Sequence, residues 1–303
     1  MNVFQRIFKI IDRLRLINRK IDLIHEALGR IENRQLSKIS SNQIQDFEFR
    51  VFSQWGEDGI IQHILRHVPI ENKIFVEFGV ENYTESNTRF LLINNNWSGL
   101  VMDGSKKNIN YIKNDMSVSW GHNLTAECVF ITTDNINEVI LRNGISGDIG
   151  LLSVDIDGND YWVWEAITCI NPRIVICEYN SLFGPHAKVS TPYKVDFDRL
   201  TAHYSNIYYG SSIAALEFLG KKKGYSLVGS NSVGNNLFFV RNDLCGGLKV
   251  VSAENAYMKA QFREAKDKDG KLAFIDFADR LKVIYDLDVV NVENNNLIKI
   301  KDI

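Results

Sequence analysis

The chain has 303 residues, 45% of them apolar and 24% charged, enough to bury one sizeable core with further elements around it. A formal net charge of −2 offers phosphate no global attraction, so a nucleic-acid partner is not expected. Cys128, Cys169, Cys177 and Cys245 form no CxxC pair and read as reduced thiols; no stretch reaches about 18 apolar residues, and the N-terminus lacks a secretory signal's apolar core. The expected setting is the cytoplasm.

Residues 1–45 stand apart. Phe4, Ile7, Ile11, Leu14, Ile17, Ile21, Ile24, Leu28 and Ile31 recur at three- and four-residue intervals, predicting a helix with one apolar stripe. Nine Lys or Arg face four Asp or Glu within residues 1–38, so the helix is basic. Three roles fit it: a short coiled coil making a homo-oligomer, peripheral contact with anionic lipid at the inner face of the membrane, or packing on the chain's own domain. A heptad following this stripe turns Asn18 and His25 inward. The polar stretch 37–46 reads as a linker.

Residues 46–245 alternate short apolar runs with helix-length segments, the pattern of a doubly wound α/β sheet. Strands are expected at 73–78, 99–103, 126–132, 149–155, 173–178, 226–230 and 236–241, the last two as a hairpin. Seven mostly parallel strands ending in an antiparallel pair are the inventory of a Rossmann-like class I methyltransferase fold. Residues 246–303 read as a C-terminal helical extension, with helices over 253–265 and 271–285 and a polar tail.

Open α/β sheets bind ligands beyond the carboxyl ends of their strands, and those ends are acidic here. Glu77 closes the first strand, Gly79 follows, and Glu81 and Glu85 precede the next helix. Carboxylates at that turn repel a dinucleotide pyrophosphate and suit the sulfonium of S-adenosylmethionine, unless they merely cap the helix and face solvent. Asp103, ending the second strand, is placed to accept from ribose hydroxyls. Asn87, Gly104 and Ser105 flank these positions and join the expected cofactor contacts. Asp134 is either an adenine contact or the N-cap of the next helix.

Four motifs make a resemblance specific: Ser53-Gln54-Trp55-Gly56-Glu57-Asp58, Val76-Glu77-Phe78-Gly79, Val154-Asp155-Ile156-Asp157-Gly158-Asn159-Asp160 and Ile176-Cys177-Glu178-Tyr179-Asn180. Residues 51–180 resemble the FkbM-like class I methyltransferases, and nearly the whole chain resembles a bacterial surface-polysaccharide branch of them. The resemblance implies an O-methyltransferase acting on a sugar or sugar-derived hydroxyl in capsule or O-antigen biosynthesis, with a small-molecule or glycan acceptor. It implies that Gln54 and Glu57 close over the cofactor, Glu77 and Gly79 line its methionine side, Asp103 holds the ribose, and Asp155 and Asp157 border the transfer site. The single glycine, Gly79, departs from the two or three found in many methyltransferases.

Methyl transfer from a sulfonium asks the protein to align an acceptor oxygen and remove its proton. Asp155, Asp157, Glu178 and His186 are the candidate catalytic groups, with His203 an alternative imidazole; either histidine reads equally as an exposed loop residue. Asp155, Glu178 and Asn180, with Asp157, could converge on one hard cation such as Mg²⁺. Asp160 reads as a helix cap. Tyr193, Tyr204, Tyr208 and Tyr209 supply either a sugar-stacking surface or core. Two rival readings are a glycosyltransferase using Asp155-x-Asp157 for a metal and nucleotide sugar, and a non-catalytic scaffold. The first leaves Glu77, Gly79 and Asp103 unexplained; the second leaves like charges gathered in a cleft without a purpose.

Overall fold

A computed structural model describes residues 3–303; Met1, Asn2 and the Phe4 side chain of the expected stripe lie outside the described residues. Helix α1 (Val3–Leu36) is followed by α2 (Glu57–His67), whose Gly56 cap is left-handed at φ 115°. The wound core then runs through β1 (Ile74–Phe78), α3 (Arg89–Asn95), β2 (Ser98–Asp103), α4 (Lys106–Asn114), α5 (Met116–Ser119) and β3 (Leu124–Cys128). It continues through α6 (Ile136–Arg142), β4 (Gly147–Val154), α7 (Asp160–Ala166) and β5 (Ile170–Glu178). Beyond β5 lie β6 (Val189–Ser190), α8 (Arg199–Ala202), α9 (Ile213–Lys222), β7 (Tyr225–Ser230) and β8 (Asn236–Arg241). The chain closes with α10 (Ala253–Ala256), α11 (Phe277–Val283), β9 (Asp288–Asn291) and β10 (Asn296–Lys299).

The expected seven-stranded doubly wound sheet is present, in the order β3-β2-β1-β4-β5-β8-β7, with β8 antiparallel to both neighbours. Its central strands are apolar on both faces because helices cover both. Val76, Phe78, Leu100 and Met102 pack with Ile136, Val139, Tyr161, Trp164 and Leu216 from α6, α7 and α9. The alternate residues Phe75 and Val101 pack with Ile60, Ile64, Leu91 and Ile112 from α2, α3 and α4. The order of β1 and β4 reverses the winding between them, so their carboxyl ends open a crevice. Among the described residues no helix is long and apolar enough to cross a membrane.

Two expectations fail. The helices expected over 253–265 and 271–285 shrink to α10 and α11, and the polar tail contains a hairpin, β9–β10, that pairs antiparallel with β6. The cause is tertiary hydrogen bonding that outbids helix propensity. Met258 bonds Tyr179 through both its amide and its carbonyl, the Ala260 amide donates to Ser181 Oγ, and the Gln261 amide donates to the Val233 carbonyl. Leu182, Phe183, Val189 and Ile207 of the segment after β5 then share a small core with Ala265, Ile284, Val289 and Ile300. This accessory lobe sits at the end of β5 and brings C-terminal residues to the crevice.

Candidate functional site

Two adjoining cavities, about 470 and about 400 Å³, occupy the crevice and share Gly79, Glu81, Asp155 and Asp157. The first is lined by Gln54, Glu77, Glu85, Asn87, Glu178 and Arg199 among others; the second by Asp103, Gly104, Ser105, Phe130, Ile131 and Phe197.

Loop geometry explains the motifs. The Asp58 carboxylate accepts the amides of Val51, Phe52 and Ser53 at 2.7–2.9 Å, curling the chain so that Gln54 and Trp55 face the first cavity. Glu57, expected beside the cofactor, lines neither cavity. It is fully buried and accepts from the Trp55 amide, Asn231 Nδ2 and Asn236 Nδ2, which ties the loop to the β7–β8 hairpin. The Asp160 carboxylate likewise accepts the amides of Ile156 and Gly158, bracing the turn after β4 from the first residue of α7; Asn159 is the cap position. Gly79 is required because its φ is +77° and any Cβ would meet the Asp155 carbonyl oxygen. The β1 and β4 turns therefore touch through backbone, and one glycine suffices.

Glu77 is buried and accepts the Asn87 amide, the Thr88 amide and Thr88 Oγ1 at 2.5–3.1 Å. Burial pushes its carboxyl above the usual range against these hydrogen bonds. Asn87 is held in turn by Ser153 Oγ. Asp103 commits Oδ1 to the Ser105 amide and Asn108 Nδ2, and borders the second cavity. Glu81 and Glu85 line the first cavity and do not cap α3, which begins after Thr88; Glu85 pairs with Arg50 at 2.6 Å.

The carboxylates of Asp155, Asp157 and Glu178 converge, with an oxygen of each within 4.8 Å of the others. Glu178 is only 7% exposed, and its buried Oε2 has no hydrogen-bond partner. Burial first, then the neighbouring carboxylates, raise Asp155 and Glu178 well above ordinary values. One cation answers them. Arg199 of α8 bonds Asp157 at 2.8 Å, pairs with Glu264, donates to the Asn206 carbonyl and lies 3.7 Å from the Tyr209 ring centroid. Among the described residues lining the two cavities, Arg199 is the one basic side chain, and it is already committed. The crevice therefore offers a nucleotide-sugar diphosphate no uncommitted basic side chain.

Several expected site residues lie elsewhere. Asn180 lines neither cavity: its Nδ2 donates to the Ile207 and Tyr209 carbonyls and its Oδ1 accepts the Leu182 amide, the work of a cap. His186 is exposed and outside both cavities, and His203 bonds Ser205 beyond them. Asp134 is exposed, contacts neither cavity and does not cap α6, where Asn135 holds that place. The insertion tyrosines are structural where they are bonded: Tyr193 OH accepts from the Thr133 amide, Tyr208 OH donates to the Asp288 carbonyl, and Tyr209 is buried beneath Arg199. Of the cysteines, all free, Cys177 is buried but Cys128 is exposed. Arg199, Glu264, Phe262 and Phe130 were not singled out by the sequence, although Phe130 lies in the apolar run that overshoots β3.

No family model and no curated protein matches the chain. Among solved structures it is similar to the N-terminal domain of EvdMO1 with SAH bound, at 12% identity over 71% of this chain and 94% of that one, with a TM-score of 0.41. It is similar to magnesium protoporphyrin IX methyltransferase (ChlM) from Synechocystis PCC 6803 with bound SAH, at 12% identity, 73% and 97% coverage and a TM-score of 0.41. For PKMT2 from Rickettsia typhi in complex with AdoHcy the values are 11%, 67%, 56% and 0.43.

Proposed function

We propose that this chain is an S-adenosylmethionine-dependent O-methyltransferase whose acceptor is a hydroxyl of a sugar or sugar-derived group in surface-glycan synthesis. One observation carries the reading: Asp103 and the Asp155–Asp157–Glu178 group stand on either side of Gly79 in one continuous acidic crevice. Such a crevice favours a cationic, phosphate-free cofactor and a polyhydroxylated acceptor. Asp103 would hold the ribose, Phe130 and Ile131 would wall the adenine, and Glu77, Gly79 and Asn87 would meet the methionine end. S-adenosylmethionine, when bound, supplies an electrophilic methyl group. The protein's part is to orient an acceptor oxygen toward it and to receive the hydroxyl proton at Asp155 or Glu178.

The same three carboxylates, with the unpartnered Glu178 Oε2, fit a hard divalent cation such as Mg²⁺ held by Asp155, Asp157 and Glu178. A cation there would acidify a bound hydroxyl. Asn180 has no place in this set because its side chain is spent on backbone.

Titration calorimetry against S-adenosylmethionine, S-adenosylhomocysteine, NAD and UDP-sugars tests the reading. Heat is expected from the first two, and heat from a UDP-sugar alone would overturn it. Asp103→Ala removes a charged acceptor worth roughly 1.5–3 kcal/mol, so S-adenosylhomocysteine should bind about 10- to 100-fold more weakly. An unchanged affinity would displace the ribose from Asp103.

A further inference from the structure

Among the described residues, the last turns of α1 pack on the body. Gly29 lies against Val51 and Phe90 with no room for a Cβ, Asn33 bonds Gln62 and Arg66, and Leu36 packs with Phe49, Phe52 and Phe90. Along the rest of the helix the described residues present an exposed apolar face. Taken through Ile10 in place of Ile11, that face reads Ile7, Ile10, Leu14, Ile17, Ile21, Ile24, Leu28 and Ile31, with spacings alternating strictly between three and four. This is the 3.5-residue period of supercoiled helices, sustained for four heptads without a polar residue. All eight side chains are 44–57% exposed. Asn18 and His25 now fall beside the seam. Gly29, Asn33 and Leu36 fall at b, f and b positions, so the body docks on the side of α1 turned away from the seam.

We propose that copies of this chain associate through α1 as a parallel bundle of three or four helices. Charge sets the direction. The g positions Arg13, Lys20 and Arg34 would face one another in an antiparallel array, whereas in a parallel one Arg13 meets Asn18, Lys20 meets His25 and Ala27 meets Glu32. Side-chain shape sets the number. Ile10, Ile17, Ile24 and Ile31 occupy every d position, and Leu14 and Leu28 occupy a; β-branched residues at d disfavour two strands and favour three or four. A crevice of about 1040 Å³ beside the seam sets Ile21 and His25 of α1 opposite Tyr111, Met116 and Trp120 of the body, within a lining that is otherwise largely polar.

The test is the solution mass of the full chain by sedimentation equilibrium at micromolar concentration. Three or four times 34.7 kDa is expected. The double substitution Ile17→Asn, Ile24→Asn should return the single-chain mass with the body's thermal transition retained. Phe8→Ala, at an exposed b position off the seam, should leave the assembly intact. A dimeric or monomeric mass for the unaltered chain overturns the proposal, as does an assembly that survives the double substitution. A monomer that co-sediments with phosphatidylserine vesicles, and does so less well after the double substitution Ile17→Asn, Ile24→Asn, would make the seam a lipid contact instead.

Discussion

Asp155→Asn is expected to lower turnover by about 10²–10⁴-fold while leaving affinity for S-adenosylhomocysteine within the same order of magnitude. The substitution keeps the side chain's shape and leaves the backbone carbonyl that touches Gly79 in place, so the joint between the two turns survives. What it removes is a carboxylate that borders both cavities and is raised by burial and by the charges of Asp157 and Asp160. A raised carboxyl is a better proton acceptor than an ordinary one, and an amide is none. His186→Ala in the same assay should be silent, because that imidazole is exposed and outside the crevice. Full turnover in Asp155→Asn would move the base to Glu178.

The sheet was legible because parallel strands buried on both faces write themselves as unbroken apolar runs, and the acidic residues at their ends follow from the strand limits. The overshoot of the third strand, expected to reach Thr132 but ending at Cys128, has a physical source. Phe130 and Ile131 continue the apolar run because they wall the second cavity. What failed was telling a carboxylate that faces a ligand from one that faces amides. Glu57, Asp58 and Asp160 are spaced like site residues, yet they brace loops, and a short polar side chain after a strand, as at Asn180, is as good a cap as a ligand. Arg199 and Glu264 reach the site from an insertion and from the C-terminal lobe, 42 positions beyond Asp157 and further. Their pairing is created by the accessory core of Leu182, Val189, Ile284 and Val289, whose partners have no local signal.

Without added divalent cation, the buried carboxyls should make stability fall toward pH 8, opposed between about pH 4 and 6.5 by His63, whose imidazole burial first and the neighbouring His67 and Arg66 next lower to about 4. Burial first raises Asp148 and Asp115, but Arg173 and Arg241 around the one, and Ser117 and Arg89 around the other, hold both below the usual range. Their contribution is present above about pH 4 and is lost as pH falls below it. Asp58 and Asp160 behave oppositely. Burial, opposed by backbone amides, pushes each to about 6. A folded value above an unfolded value of about 3.9 means the native state holds the proton more tightly, so stability is lost as pH rises from about 4 to about 6, by about 3 kcal/mol over that whole window for each such carboxyl and about half of that above pH 5. Asp155 and Glu178, also raised, add to the loss in the same direction. The two contributions separate by chemistry, since Asp58 is sealed among the amides of residues 51–53 whereas Asp155 and Glu178 open on the crevice. Mg²⁺ or Mn²⁺ should therefore raise Tm at pH 8 and hardly at pH 5. Glu178→Gln should abolish that cation effect, and Asp58→Asn should leave it while flattening part of the pH slope. A Tm at pH 8 that ignores both cations would take the metal out of the site, and a Tm that climbs from pH 5 to pH 8 would mean these carboxyls are paired in a way that burial does not predict.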